Sequence, residues 1–413
     1  MVKPGVFFTL LFGLSLLSIA QTNTSEAAKS KVFIDCSFCD QNYIRDEITF
    51  VDYVRDRKEA DVHIIIIRNH NGSGGMTYEC LFFGRNMYEG KDDTLAFEVQ
   101  SDASNDEVRQ LYVQYIKLGL IPYVYKTLAG ENIEISFEEE AEAEEEKDKW
   151  NNWVFTLSGN SWMNGQKTYS NINIHSDIYV RKVKPNWKTS FYLSSSYNEE
   201  EYNMEEYDYY YTAFNRSFYG EHEYVYGISP HWSIGSFLSA HSSTYSNINI
   251  SSALKPGIEY NIFDYEKATT KQIRIVYKIG PDFNKYNDTT IYDKTEEWLW
   301  PQSLSIAAKS VQKWGSISGS INSSAYMHDF SKNSLGFYLN TSIRLIKGLE
   351  FNISGNYSMV HNQMNIPKGD VTQEELLLQQ RQLETQYNYW ASIGISYTFG
   401  SIYNNIINPR FGF

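Results

Sequence analysis

Between Trp150 and Phe399, apolar and polar residues alternate through one segment after another. Ile172, Ile174, Ile178 and Val180 share one parity, and Asn171, Asn173, His175 and Asp177 share the other. Leu335, Phe337, Leu339, Ile343 and Leu345 alternate with Ser334, Gly336, Tyr338, Asn340 and Arg344. Leu349, Phe351, Ile353, Tyr357 and Met359 stand against Glu350, Asn352, Ser354 and Asn356, and Ala391, Ile393, Ile395, Tyr397 and Phe399 against Ser392, Gly394, Ser396 and Thr398. Side chains switch faces at each step of a strand, so a period of two predicts strands with one apolar and one polar face. About twelve such segments follow, near 150–160, 169–181, 187–199, 212–227, 232–242, 247–263, 271–281, 295–311, 315–327, 333–345, 349–362 and 387–399.

A soluble sandwich also alternates, but three features favour a membrane. The segments run to roughly ten residues or more, the length a tilted membrane-crossing strand needs. Their polar parity is small and hydrophilic, which suits a wet interior. Aromatics gather at segment ends, at Trp150, Trp153, Trp187, Trp232, Trp298, Trp300, Trp314 and Trp390, where the rings of interfacial girdles lie. Hydrocarbon offers no partner to a free strand edge, so the expected fold is a closed antiparallel barrel of about twelve strands in a bacterial outer membrane. An even count puts both ends of the barrel in the periplasm. The short turns at 184–186, 229–231, 264–270, 312–313 and 347–348 then face inward, and the longer loops at 200–211, 282–294 and 363–386 face outward.

Composition narrows the class. Mean hydropathy is −0.45, and after residue 20 no apolar run is long enough for a spanning helix, which excludes a helical membrane protein. A net charge of −14 argues against nucleic acid as a partner. Residues 1–20 read as a signal peptide, with Lys3, an apolar core from Val6 to Leu17, and Ser18-Ile19-Ala20 as the cleavage site.

Residues 31–130 precede the barrel as a small α/β domain, in the order β-α-β-β-β-α. It has strands at 31–34, 62–68, 77–84 and 94–99 and helices over 42–57 and 105–118, the second ended by Gly119. The helices are expected to pack on one face of the sheet. Residues 131–149 hold the run EEEAEAEEEKDK and read as a solvated acidic linker. In the last loop, Thr372 and Glu375 form a capping box ahead of a helix over 373–384. Residues 401–413 form a C-terminal tail expected to dock back on the barrel.

Candidate chemistry is sparse. Cys36 and Cys39 are spaced like a redox pair at a helix start, but Pro122 is the only proline of the domain and no convincing cis-proline partner is evident. A structural disulfide in an oxidising periplasm fits better, either Cys36–Cys39 or one of these with Cys80. His63 and His70 lie at no zinc-like spacing from the three cysteines, so neither metal nor cofactor is expected. Ser239 with His241, and Ser324 with His328, are the pairs a lipid hydrolase would use, at a frequency chance supplies in so serine-rich a chain. His175, Asp177 and Arg344 are candidate lumen residues. Arg45, Arg55 and Arg57, exposed on the first expected helix, are candidate contacts for a partner, with Asp46, Asp52 and Asp56 as ordinary ion-pair neighbours.

The runs Asp35-Cys36-x-x-Cys39-Asp40, Tyr43-Ile44-Arg45, Phe50 to Arg57 and Ala60-Asp61-Val62-His63, with the closing Ser401 to Asn405 and Asn408 to Phe411, resemble a group of outer-membrane barrel proteins of Bacteroidota and related bacteria that carry an N-terminal periplasmic domain. The resemblance covers most of the mature chain and implies location and architecture, with no activity attached. The expected function is non-enzymatic: a narrow channel, or a structural protein whose periplasmic domain docks to the cell wall or to another envelope protein. The alternative is an outer-membrane lipid-modifying hydrolase. Outer-membrane lipid is the expected surrounding.

Overall fold

The computed structural model describes residues 29–72, 74–127, 129–130, 133, 148–369, 372, 374, 381–401 and 410. The expected signal peptide, most of the acidic linker, most of the 373–384 helix and nearly all of the tail lie outside them.

The N-terminal part comprises β1 (Lys31–Asp35), α1 (Gln41–Glu47), β2 (Asp52–Tyr53), β3 (Val62–His70), β4 (Met76–Gly84), β5 (Asp92–Val99) and α2 (Asn105–Val124). The sheet runs β2-β1-β3-β4-β5 and is mixed. β1 is parallel to β2 and to β3, whereas β3–β4 and β4–β5 are antiparallel. The apolar run of β3 sits at the centre because it is buried on both faces. Val62, Ile64 and Ile66 join Val32, Cys80 and Phe82 in a core closed by Ile44, Tyr112, Ile116 and Leu120 from the two helices. His63, Ile65 and Ile67 are buried on the opposite face.

Both helices depart from expectation at their C-terminal ends. The helix expected over 42–57 stops at Glu47, and the chain turns into β2 beside β1, with Lys31 opposite Asp52. The stretch from Ile48 to Val54 is β-branched and aromatic, and strand pairing outcompetes helix there. Asp40 caps α1 by accepting the Tyr43 amide at 3.0 Å. α2 starts at a Ser104–Glu107 capping box and runs on through Gly119 and Pro122 to Val124. Gly119 is needed for packing rather than termination, since a Cβ there would lie 2.1 Å from Cζ of Phe82.

The larger sheet comprises β6 (Trp153–Gln166), β7 (Tyr169–Lys184), β8 (Trp187–Met204), β9 (Tyr209–Gly227), β10 (Trp232–Ser243), β11 (Ile248–Asn261), β12 (Lys271–Ile279), β13 (Asp282–Tyr286), β14 (Glu296–Leu299), β15 (Pro301–Gln312), β16 (Gly315–Tyr326), β17 (Asp329–Ile346), β18 (Leu349–Val360) and β19 (Tyr387–Tyr397). Strands pair antiparallel in chain order along the path from β6 to β19, with β15 following β12, and the path holds twelve strand positions. β13 continues β12 along β11 in one register, with Gly257 opposite Lys278 and Ala253 opposite Asp282. β14 continues into β15 in the same way. The first break holds Pro281, and the second, at Trp300, is followed by Pro301; neither proline has an amide hydrogen to give a ladder. No described helix is long and apolar enough to cross a membrane.

The ladders fix which residues share a face. Phe337, Leu339 and Ile343 stand opposite Tyr357, Gly355 and Phe351, while Ser342, Asn340 and Tyr338 stand opposite Asn352, Ser354 and Asn356. The same division continues into β19, where Ile393 and Ile395 meet Ile353 and Phe351. Trp390 departs from the expected aromatic girdle: it stands opposite Asn356, on the polar face. The expected outer loop at 200–211 is much shorter, because β8 and β9 extend to Met204 and Tyr209 with Tyr202 opposite Tyr211. Asp208 closes that turn in the left-handed region. Among the described residues no ladder joins β6 to β19, and most residues of both strands are exposed on either face.

Candidate functional site

The polar face carries the sheet's charged and hydrogen-bonding side chains. Near the end bearing the turns at 185–186 and 228–231 lies a cavity of about 1210 Å³, lined among others by Lys188, Glu223, Glu259, Arg274 and Lys278. Lys188 and Glu223 pair at 2.5 Å. Tyr265, on the turn after β11, donates to Glu259 at 2.9 Å and shares a 2.8 Å hydrogen bond with Ser233. The Phe237 ring lies beside Gly235 and Gly257, with the Lys278 ammonium 3.2 Å from its centroid. A Cβ on Gly235 would lie 3.0 Å from that ring, and one on Gly257 would lie 3.0 Å from Cγ of Lys278.

His175 and Asp177 lie on this same face, where the sequence places them. His175 Nε2 is 3.0 Å from Asp177, whose carboxylate also accepts from Tyr192 at 2.6 Å and Ser158 at 3.3 Å. They make a bonded cluster on the wall between β6, β7 and β8.

At the far end of the sheet, the segment after β18 reaches over to other loops. Asn247, in the β10–β11 turn, donates to the carbonyls of Asp288 and Asn365, each at 3.0 Å. The Ile291 amide donates to Ile366 at 2.9 Å and the Lys368 amide to Thr289 at 2.7 Å. Met364 and Ile366 are buried with Ile248, Tyr286 and Thr290. Residues 361–368 therefore form a packed cover over loops of β10–β11 and β13–β14.

At the near end the N-terminal sheet presents its second face. Arg344, read from the sequence as a lumen residue, is at the end of β17 and holds both carboxylate oxygens of Asp35, one of them at 2.6 Å. Its Nε lies 3.7 Å from Glu350. It joins the two sheets, because the last polar-parity position of β17 lies next to the end of β1. Arg57 donates to the carbonyls of Lys313 and Arg344, the latter at 3.1 Å. Asp56 accepts the Gly348 amide at 2.5 Å, Glu59 pairs with Lys347, and Lys313 pairs with Asp92 at 3.3 Å. The Lys313 ammonium also lies 4.1 Å from the centre of the Phe83 ring. Arg57 is thus engaged within the chain. Arg55 approaches Gly400, and Arg45 lies over the Tyr53 ring.

His63 sits behind this contact, fully buried between Phe33 and Phe83. Its Nε2 is 3.5 Å from Asp35, within ion-pair range but not a well-formed hydrogen bond. Burial lowers the His63 pKa against the opposing pull of Asp35, which leaves the ring neutral at pH 7. Burial works against charge on Asp35 too, but bonding and attraction from His63 and Arg344 outweigh it and hold the carboxyl below its ordinary range. With His63 neutral, Arg344 supplies most of that attraction. The contact residues Asp35, Asp56, Glu59, Lys313 and Lys347 are not among the candidate site residues of the sequence reading. The available signal is His63 itself, a lone polar residue inside the run Val62–Ile67.

Cys36 and Cys39 form a disulfide, and Cys80 is a buried free thiol whose pKa burial pushes up to about 12. Ser324 shares hydrogen bonds with Ser334 and Asn362, and the His328 ring packs against Tyr326. Among the described residues no group of three or more His, Cys, Asp or Glu is placed to hold a metal.

No family model matches the chain, and no curated protein matches it. Among solved structures it is similar to a NanC porin in a rhombohedral crystal form, at 9% identity and a TM-score of 0.29, over 59% of this chain and 99% of the porin. So slight a likeness carries no weight, and the fold stands on its own ladders: a mainly β chain with an antiparallel sheet of twelve strand positions and a small mixed sheet.

Proposed function

We propose that the large sheet closes into a twelve-stranded barrel in the outer membrane and that the chain is a narrow channel, with its N-terminal domain in the periplasm. The observation that carries this is the division of faces. Ile, Leu, Phe and Tyr on one parity are exposed across the sheet, an arrangement stable only against lipid or a partner of equal area. The other parity lines a cavity with charges of both signs. Closure of β6 on β19 would satisfy the two edges that hydrocarbon cannot. The cover at 361–368 and the docked N-terminal sheet would narrow the two mouths, so the passage suits small polar solutes.

Of the three arginines expected to dock, Arg45 stays on α1. Arg57 faces the chain's own large sheet, so a cell-wall or envelope partner would have to use the helix side of the domain. Hydrolysis has no observation in its favour.

Refolded full-length chain in planar bilayers is expected to give small, steady openings. Electrical silence from a folded, heat-modifiable barrel would contradict the channel and leave a filled barrel.

A further inference from the structure

We propose that the N-terminal sheet is a clasp that holds the first and last strands of the barrel together at the periplasmic rim. The inference rests on the closed-barrel reading above and adds a function for the domain.

The contacts of the domain fall on both sides of the β6–β19 seam. On the last-strand side, Asp35 meets Arg344 on β17, Asp56 meets Gly348 in the β17–β18 turn, and Glu59 meets Lys347. Arg57 reaches the β15–β16 turn at Lys313. On the first-strand side, the β3–β4 loop presses on β6 and β7. A Cβ on Gly72 would lie 2.8 Å from Cβ of Val183, and one on Gly74 would lie 2.9 Å from Val154 and 3.1 Å from Arg181. Gly74 also has φ +94°, so backbone geometry and close approach both require glycine there. The turns at 185–186, 228–230 and 264–266 line the open cavity instead. One domain therefore touches the two flanks of the seam.

The physics favours such a device. A barrel has one junction whose strands are far apart in sequence, here β6 and β19, and closing it costs chain entropy that hairpin-linked neighbours do not pay. The domain precedes β6 in the chain and grips β17 and the β17–β18 turn through ion pairs, so it brings both ends together. The grip is polar and lies at the aqueous rim, where bonded charges are hydrated and directional. The Asp35–Arg344 pair is its least exposed element, with each side chain about one-fifth exposed.

The test uses the full chain refolded in detergent. Arg344→Asp and the double reversal Asp35→Arg/Arg344→Asp are compared with wild type by the temperature at which the fast-migrating folded band is lost, and by backbone hydrogen exchange. The clasp predicts that Arg344→Asp lowers that temperature by about 5 °C or more and speeds exchange in β6, β7 and β17 to β19 while sparing β9 to β12. The double reversal restores both. If Arg344→Asp fails to fold, Gly72→Trp, which presses on Val183 from the other flank, must give the same pattern. An unchanged temperature, or exchange that rises only within residues 31–124 or evenly through the sheet, overturns the clasp and leaves the barrel standing. A wild-type chain with no heat-modifiable band overturns the barrel and the clasp with it.

Discussion

Asp35 and Arg344, 309 residues apart in the sequence, meet in a two-pronged ion pair that ties the last residue of β1 to the end of β17. The fork geometry matters, because a guanidinium engages both carboxylate oxygens and an ammonium engages one. Arg344→Ala leaves a largely buried carboxylate without its main partner and is expected to cost about 2 kcal/mol. Arg344→Lys should cost roughly half of that, since it keeps the charge and loses one hydrogen bond. Urea unfolding of the full chain in detergent measures both. Equal losses for the two variants would show that charge alone matters.

The neighbouring His63 and Asp35 make the same contact sensitive to acid. His63 has its folded pKa lowered below the ordinary 6.5, so the unfolded chain takes up a proton first as pH falls. Stability is therefore full above pH 6.5 and declines below it, until the folded ring also protonates. Asp35 has its folded pKa lowered below the ordinary 3.8, so its contribution is present above that pH and is lost as pH falls through the lowered value. His63→Phe, which suits the Phe33 and Phe83 rings around it, should flatten the decline between pH 7 and pH 5 and leave the later fall below pH 4. Hydrogen exchange in β3 across that range is the readout.

Gly119 sets helix propensity against packing. Alanine would favour α2 by about 1 kcal/mol. Its methyl carbon would lie 2.1 Å from Cζ of Phe82, a clash inside a closed core that costs about 1–3 kcal/mol. Packing wins, so Gly119→Ala should lower the unfolding temperature, and Gly119→Ala with Phe82→Leu should recover part of the loss.

The charge pair at the cavity sets the last prediction. Glu223→Gln removes the acid that Lys188 holds at 2.5 Å and leaves Arg274 and Lys278 on the same wall. In a conducting barrel the reversal potential under a salt gradient should then move toward anions. A shift toward cations would place the permeation path elsewhere.

The twelve strand positions were legible because their signal is local: parity of apolar residues, with turn residues between. Segment bounds at Tyr169, Trp187, Trp232, Gly315 and Leu349 agree with the strand starts to the residue. Where expectation and structure part, the deciding force is long-range. The stretch 48–54 looks amphipathic in isolation, and only β1 beside it makes Asp52–Tyr53 a strand. Gly119 reads as a stop signal until Phe82 is placed across from it. Arg344 has the parity of a lumen residue, and it does lie on that face, but its partner comes from a strand at the opposite end of the chain. No pattern along the sequence announces such a pair. His63, polar within an apolar strand, was the one local hint that the second face of the N-terminal sheet is covered.

The central claim is that one parity of each long strand faces lipid and the other faces water. A single-cysteine scan along β18 in proteoliposomes, on a background with Cys36, Cys39 and Cys80 replaced by serine, tests it most directly. Cysteines at Asn352, Ser354 and Asn356 should react with a membrane-impermeant, water-soluble maleimide. Cysteines at Phe351, Ile353 and Tyr357 should resist it and should carry a fluorophore quenched by brominated lipid. Reaction at all six positions, or quenching without alternation, would contradict a membrane barrel with a polar interior.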